Sequence, residues 1–451
     1  MTNNSSLFDI RKWFVAPGYV LFFLLLAFPM VMEVLYVKAV LFGIALILTG
    51  IAALTRAKLA LHHSVVLWTL FLAAVSYFFV LRGFFLGTPG AAEAAQLYVL
   101  WPLIYLVLVA GASRPRILLG LRRILVVATI FIGLQGGVYL LTNLGVVPWD
   151  RFANLLSLGW QEQSFGLREG YIGMQFPGLN SLPFLVPFAI AALATCARAR
   201  THKRFQQVWL WLACFLGLFM VLTSARRALI VVTVLAPLLT WCFLRFQPES
   251  EKHLARRSLA RVSLVLALSV VVFIGALGLV YQFNVYDLFD RVTQGFNFGP
   301  TAFDSGANVR RIQYLALIHG WYQHPLVGAG HGASAYDVIR SGTMPWAYEL
   351  SYMALLFQTG LLGFLAYTAG VVWIYRMGIR VIRTGGELGA SILPIMVGMT
   401  GFLIANATNP YLARFDGIWT IFLPLAFINR WLLPENQTRT SILRSTRPVP
   451  G

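Results

Sequence analysis

The sequence predicts an all-α polytopic membrane protein with about twelve transmembrane helices, and three observations carry that expectation. Of its 451 residues, 59% are hydrophobic and only 11% charged, too apolar a composition for a surface in water. The apolar residues gather into runs of about 20, the length that crosses the hydrocarbon core as a helix. The basic residues stand in short clusters between those runs, as they do where Lys and Arg fix orientation in a bilayer.

In order, the runs cover residues 14–33, 36–54, 64–81, 97–113, 123–144, 179–197, 205–223, 228–246, 262–282, 351–375, 388–407 and 415–433. Pro102, Pro187, Pro394 and Pro424 fall inside runs and predict kinks whose freed backbone groups are satisfied by neighbouring helices. Arg11 and Lys12 precede the first run without a small-x-small cleavage site, so that run is expected to be an uncleaved span. With the N-terminus in the cytoplasm, 24 of the 35 Lys and Arg lie in the tails and in the loops near residues 56, 116, 200, 252 and 380, against 11 on the far side. Both termini then face the cytoplasm. Residues 1–282 carry nine helices and a far-side loop at 145–178, residues 283–350 form a larger far-side loop, residues 351–433 carry three helices, and 434–451 form a cytoplasmic tail.

The formal charge of +19 would suit nucleic acid, but its distribution in clusters between apolar runs argues against that partner. Cys196, Cys214 and Cys242 each lie inside an apolar run without metal-ligand spacing and are expected to pack. Both far-side loops are too long to be turns, so function is expected there. Within the larger one, "ANVRRIQYLALIHGWYQHPL" sets Val309, Ile312, Leu315 and Ile318 three residues apart, with Asp304 or Ser305 available as N-cap. This is the pattern of an amphipathic helix lying on or dipping into the outer membrane face, or of a helix that lids the bundle.

Ten of the eleven far-side basic residues are arginines, Lys38 being the exception. A guanidinium offers a planar fork of donors that matches phosphate oxygens two at a time, so these residues suggest a diphosphate presented from the outer leaflet; pairing with far-side carboxylates is the competing explanation. Arg226 and Arg227, in "LTSARRALIVV", join two apolar runs with almost no loop, a depth at which ionisable residues usually serve a site. His319, His324 and His331 lie in the large loop and include candidates for acid/base or positioning roles, but no His-x-x-x-His or Glu-x-x-His spacing suggests a metal. No Asp-x-Asp pair offers to hold a cation on a nucleotide sugar. Glu349, at the threshold of the run "YELSYMALLFQTGLLG", either accepts a proton from an attacking hydroxyl or caps the helix that begins beside it.

In these residues the chain resembles the O-antigen ligase and O-antigen polymerase superfamily of bacterial envelope glycosyltransferases. Ligases of that group carry a His, then Asn, Ser or Gln, nine residues, and Gly-x-x-Gly after a large periplasmic loop. Here Gly360 and Gly363 form the Gly pair, residues 351–359 the spacer, Leu350 the second position and Glu349 the first, in place of His. "QHPLVGAGHG" (323–332), "TSARRAL" (223–229) and "REGYIGMQFPGLNSL" (168–182) are similar to further family patterns, and with the twelve-span layout the likeness extends over most of the chain.

The resemblance implies a GT-C-like transferase of the bacterial inner membrane, independent of metals and cofactors, with its active site on the periplasmic side. Its donor would be a polyprenyl-diphosphate-linked oligosaccharide, whose diphosphate the family's arginines would hold through Arg226, Arg310 or Arg311, and Arg168. Arg310 and Arg311 stand about 100° apart on a helix, so one site would take one of them. The acceptor is another lipid-linked glycan for a polymerase, acting with a chain-length regulator protein, or lipid A core for a ligase. Replacement of His by Glu349 favours the polymerase, with Glu349 as catalytic base; a flippase of lipid-linked glycans is the non-enzymatic alternative.

Overall fold

The computed structural model describes residues 10–29, 31–56, 60–143, 145–146, 164–168, 171–196, 204–224, 226–281, 305–335, 338 and 344–433. Apolar runs become helices because each backbone group is then satisfied within its own segment. In chain order these are α1 (Ile10–Ala27), α2 (Met32–Arg56), α3 (His63–Phe85), α4 (Ala91–Ala95), a π-helical stretch (Gln96–Leu100), α5 (Trp101–Ala112) and α6 (Pro115–Asn143). After a hairpin of β1 (Ser164–Arg168) and β2 (Tyr171–Gln175), a 3-10 turn (Pro177–Ser181) leads into α7 (Leu182–Cys196), α8 (Arg204–Thr223), α9 (Arg227–Leu244) and α10 (Glu249–Tyr281). The rest are α11 (Ser305–Gln323), α12 (Ser351–Thr384), α13 (Gly386–Asn406) and α14 (Trp419–Leu432).

Among the described residues nine helical segments are long and apolar enough to cross a membrane, and shorter apolar stretches, Ala16–Ala27 and Gln207–Thr223, lie in α1 and α8. The chain is an all-α, multi-pass membrane protein. α7 is its axis: every residue but Thr195 is buried. It packs on α13, where a Cβ on Gly398 would stand 2.9 Å from the Phe184 ring and one on Gly401 2.7 Å from the Pro183 carbonyl, the close helix approach that small residues permit. Around this axis α2 and α10 turn side chains such as Val40, Ile47, Leu264 and Val271 outward, as a lipid-facing ring requires.

Several boundaries differ from the apolar runs. α1 stops at Ala27, short of the expected 33; the next two residues are Phe28 and Pro29. The fourth run begins earlier, at Ala91, and holds the π-helical stretch just before Pro102. α10 and α12 outrun their apolar segments because amphipathic, Arg-bearing turns extend them. The loop at 145–178 carries a two-stranded antiparallel hairpin, an exception to the all-α expectation, with Phe165 opposite Met174 and Leu167 opposite Ile172. Cys242 is exposed rather than packed, unlike Cys196 and Cys214.

α11 confirms the helix expected in the large loop, although its proposed cap Asp304 lies outside the described residues. Val309, Ile312 and Leu315, the expected apolar stripe, are exposed, while Gln313 and Leu317 are fully buried on the face that meets α12 and its approach segment.

Candidate functional site

The site is organised by a break in α12. Gly360 has φ +62° and ψ −171°, so the helix is interrupted there. The segment 325–332 fills the interruption: Ala329 N donates to Phe357 O (2.9 Å), Gly330 N to Gln358 O (2.8 Å), and Leu361 N and Leu362 N donate back to Pro325 O (2.9 Å) and Leu326 O (3.0 Å). Backbone groups that a broken helix would leave bare in lipid are thus paired. A Cβ on Gly360 would lie 2.4 Å from the Leu326 carbonyl, and one on Gly330, at φ +90°, 2.6 Å from Gly83 N at the end of α3. The same segment ties to α3 through His331 N→Phe79 O (2.9 Å) and Arg82 Nε→Gly328 O (2.8 Å). "QHPLVGAGHG" and "FQTGLLG" are therefore two halves of one backbone clasp.

His331 sits inside the clasp, fully buried. Its Nε2 lies 2.9 Å from the Tyr367 hydroxyl and its Nδ1 3.3 Å from Gln358 Oε1, while its ring stacks on Tyr98 at 4.4 Å. Burial pushes its pKa down to about 4, so the imidazole is neutral near pH 7. That arrangement suits a positioning residue. His324, by contrast, is exposed, and its backbone carries the turn after α11.

Beside the clasp, α11 meets the entry to α12. Arg310 Nε lies 2.9 Å from Glu349 Oε2, a close ionic contact between partly buried groups that lacks hydrogen-bond alignment. Gln313 Oε1 accepts from Glu349 N at 2.9 Å. Leu350, not Glu349, occupies the capping position of α12, and no side chain caps the helix there. Beside the pair, Gln313 Nε2 and Ser351 Oγ are buried without hydrogen-bond partners among the described residues, as is Arg311 Nε on α11. Orphaned buried donors are costly in a folded protein and mark a place built for an acceptor.

Arg226 stands elsewhere. It precedes α9 and donates through Nη1 to Asn180 Oδ1 at 2.7 Å, joining "TSARRAL" to the Pro-Asn end of "REGYIGMQFPGLNSL". No hydrogen bond or ion pair among the described residues joins Arg226 to Arg310, Arg311 or Glu349. Arg168 ends β1, opposite Tyr171, and its side chain lies outside the described residues. Ser181 Oγ donates to Leu26 O at 2.8 Å, fastening the Asn180 turn to the end of α1. Lys38 Nζ caps that same end through Phe28 O at 2.6 Å and pairs with Asp416 at 3.5 Å.

A cavity of about 980 Å³ lies between α3, the π-helical stretch with α5, α12 and α14. Tyr348 and Ser351, on either side of Glu349 and Leu350, line it, as do Lys38, Glu93, Arg414 and Asp416; Glu349 and Arg226 do not. Sequence reasoning missed this chamber and the buried Lys38–Asp416 pair. The signal was present, since a lone lysine and an aspartate each stood at the edge of an apolar run. Among the described residues no three of His, Cys, Asp and Glu gather as a metal site.

No protein-family model matches the chain, and no curated protein matches its sequence.

Proposed function

We propose that the protein is an inverting, metal-independent glycosyltransferase of the bacterial inner membrane that polymerises O-antigen or another surface polysaccharide from polyprenyl-diphosphate-linked repeats. In this reading the chain is GT-C-like and crosses the bilayer twelve times, through α1, α2, α3, α4 with α5, α6 to α10, and α12 to α14. Both termini are cytoplasmic, and the starts of α9 and α12 share the periplasmic face.

The observation that carries the proposal is the Arg310–Glu349 contact of 2.9 Å, beside the orphaned donors of Gln313 and Ser351. Three donor groups beside one acidic side chain suit a diphosphate, whose oxygens accept several charge-assisted hydrogen bonds at once. While Arg310 engages Glu349, the carboxylate is withheld from a hydroxyl proton. A diphosphate bound at Gln313 and Ser351 competes with Glu349 for Arg310. The acceptor hydroxyl then attacks the anomeric carbon in line: its O–C bond forms, the C–O bond to the diphosphate breaks with the electron pair leaving on the diphosphate, and the proton passes to Glu349. Arg226 serves the same donor from the Asn180 junction.

Purified protein in liposomes with a lipid-linked oligosaccharide provides the test. Chain growth without core lipid is expected. Product formed only when core lipid is added would make the protein a ligase, and lipid movement between leaflets without a new glycosidic bond would overturn the enzyme reading.

A further inference from the structure

The end of the bundle where α9 passes into α10, and α12 into α13, carries a surface that the proposed chemistry does not use. On α10 the exposed residues change character along the helix: Arg256, Arg257 and Arg261 stand outward first, then Leu264, Val265 and Leu268. α12 makes the same change in the opposite chain direction, exposing Leu365 and Val372 before Arg376, Arg380 and Arg383. α9 exposes Val234 and Leu238, then Trp241, then Arg245, whose guanidinium lies 3.6 Å from the centre of the Trp241 ring. At about 1.5 Å per residue, the step between apolar and basic takes about 5 Å on α10, about 6 Å on α12 and about 10 Å on α9.

Contacts among the three helices set these steps side by side. The Phe243 and Tyr375 rings stack at 6.3 Å, which brings Arg245 and Arg376 to neighbouring levels. Arg383 lies 5.4 Å from the centre of the Phe246 ring, and Gly386 N donates to Glu251 Oε1 at 3.3 Å. Ten residues separate Glu251 from Arg261 and ten separate Arg376 from Gly386, so both steps stand about 15 Å of helix from that last contact.

Positive charge is in surplus here. Glu249 pairs with Lys252 at 2.6 Å and feels the charge of Arg256, Glu251 accepts from Gly386 N, and Glu387 acts on Arg122 of α6. Arg257, Arg261 and Arg376 make no hydrogen bond or ion pair with any described residue. An acidic protein would need the arginines alone. An anionic phospholipid needs both halves of the pattern, because its phosphodiester takes the guanidinium groups while its chains continue along the apolar residues one or two turns away. Exposed Trp241, at the step itself, is of the residue type that sits at headgroup level.

We propose that the arginine surface formed by α9, α10 and α12 binds the phosphodiester headgroups of anionic phospholipids, whose chains lie on the outward apolar faces of the same helices. The inference stands apart from glycan transfer and from the Arg310–Glu349 junction.

The test is native mass spectrometry of the full-length protein released from mixed micelles that hold phosphatidylglycerol and phosphatidylcholine of identical chains in equal amounts. Wild type should retain phosphatidylglycerol about fivefold or more over phosphatidylcholine. Arg257→Gln, Arg261→Gln and Arg376→Gln together should bring that ratio to about one without altering the apparent melting temperature, whereas Lys at the same three positions keeps the charge and should preserve the preference. Equal retention of the two lipids by wild type would overturn the proposal, as would a Gln variant that keeps the preference. Loss of the preference in the Lys variant would overturn it too, since a headgroup held by charge tolerates that exchange. Two competitors identify the source of the anion. Excess glycerol phosphate, or a polyglutamate peptide, that strips phosphatidylglycerol from wild type would assign the surface to a free phosphate or to an acidic protein instead.

Discussion

Gly360→Ala should unfasten the clasp that shapes the site, and its effect can be worked from the geometry. An alanine at φ +62° and ψ −171° occupies backbone space open essentially only to glycine, at a cost of about 2 kcal/mol. Its Cβ would also lie 2.4 Å from the Leu326 carbonyl and 2.5 Å from Gly328 N, backbone atoms that move only if segment 325–328 moves. That displacement strains or breaks the bonds to Pro325 O and Leu326 O, worth about 1 kcal/mol each. The sum is about 3–4 kcal/mol, several degrees of apparent melting temperature. Buried Cys196 and Cys214 supply the assay, since a thiol-reactive fluorophore reports their exposure as the detergent-solubilised protein is heated, over a baseline from exposed Cys242. Gly43→Ala, whose Cβ would meet nothing within 4 Å in the middle of α2, is the control and should be neutral or stabilising by about 0.5–1 kcal/mol. Equal melting of Gly360→Ala and wild type would refute the clasp as the element that fixes the break.

Four further outcomes follow. Glu349→Gln should bind polyprenyl diphosphate at least as tightly as wild type, since Arg310 is no longer held by a carboxylate, while lowering turnover about 10²-fold or more, read as a fall in kcat without a rise in KM. Lys38→Met should destabilise by up to about 3–5 kcal/mol because it takes the Lys38 cation away from buried Asp416, and Lys38→Met with Asp416→Leu should recover much of that loss in the same melting assay. Asn180→Ala frees the Arg226 guanidinium from its 2.7 Å bond and should weaken donor binding about tenfold, seen as a raised KM. His331 predicts a pH dependence. Its folded pKa of about 4 lies below an unfolded value of about 6.5, so between these values the unfolded chain binds the extra proton. Stability should therefore be flat above pH 6.5 and fall by up to about 3 kcal/mol toward pH 4, and His331→Gln should flatten the profile.

The helices were legible because a lipid solvent leaves the backbone little choice: a long apolar run must satisfy its own N–H and C=O groups. The hairpin was less so: Phe165, Leu167, Ile172 and Met174 alternate on either side of Glu169-Gly170, but Glu-Gly is not one of the Asn-Gly, Asp-Gly or Gly-Gly pairs that mark a two-residue hairpin turn. Four short stretches stood out in one dimension, but their pairing did not. "QHPLVGAGHG" closes on "FQTGLLG" through backbone bonds between residues some thirty positions apart, and "TSARRAL" reaches the Pro-Asn turn through Arg226 and Asn180. The chamber was hidden for a different reason. Its walls are largely ordinary Leu, Val, Trp and Tyr residues drawn from several helices, and only their mutual spacing leaves a void.

Glu349 carries the sharpest consequence of the proposed chemistry. An imidazole at that position would have no attraction for the guanidinium of Arg310 unless deprotonated, and then only as a hydrogen-bond acceptor. A carboxylate is drawn to 2.9 Å. In an enzyme of this kind the acid is therefore quenched by its own arginine until a stronger anion takes the arginine away, so donor binding and base activation become one event. The coupling is measurable. Arg310→Gln should take the Arg310 charge off Glu349 and raise the rate at which water, rather than a sugar hydroxyl, cleaves the bound donor, even as donor affinity falls. An Arg310→Gln variant that loses affinity with no gain in hydrolysis relative to transfer would show that the arginine holds substrate and does nothing to restrain the carboxylate.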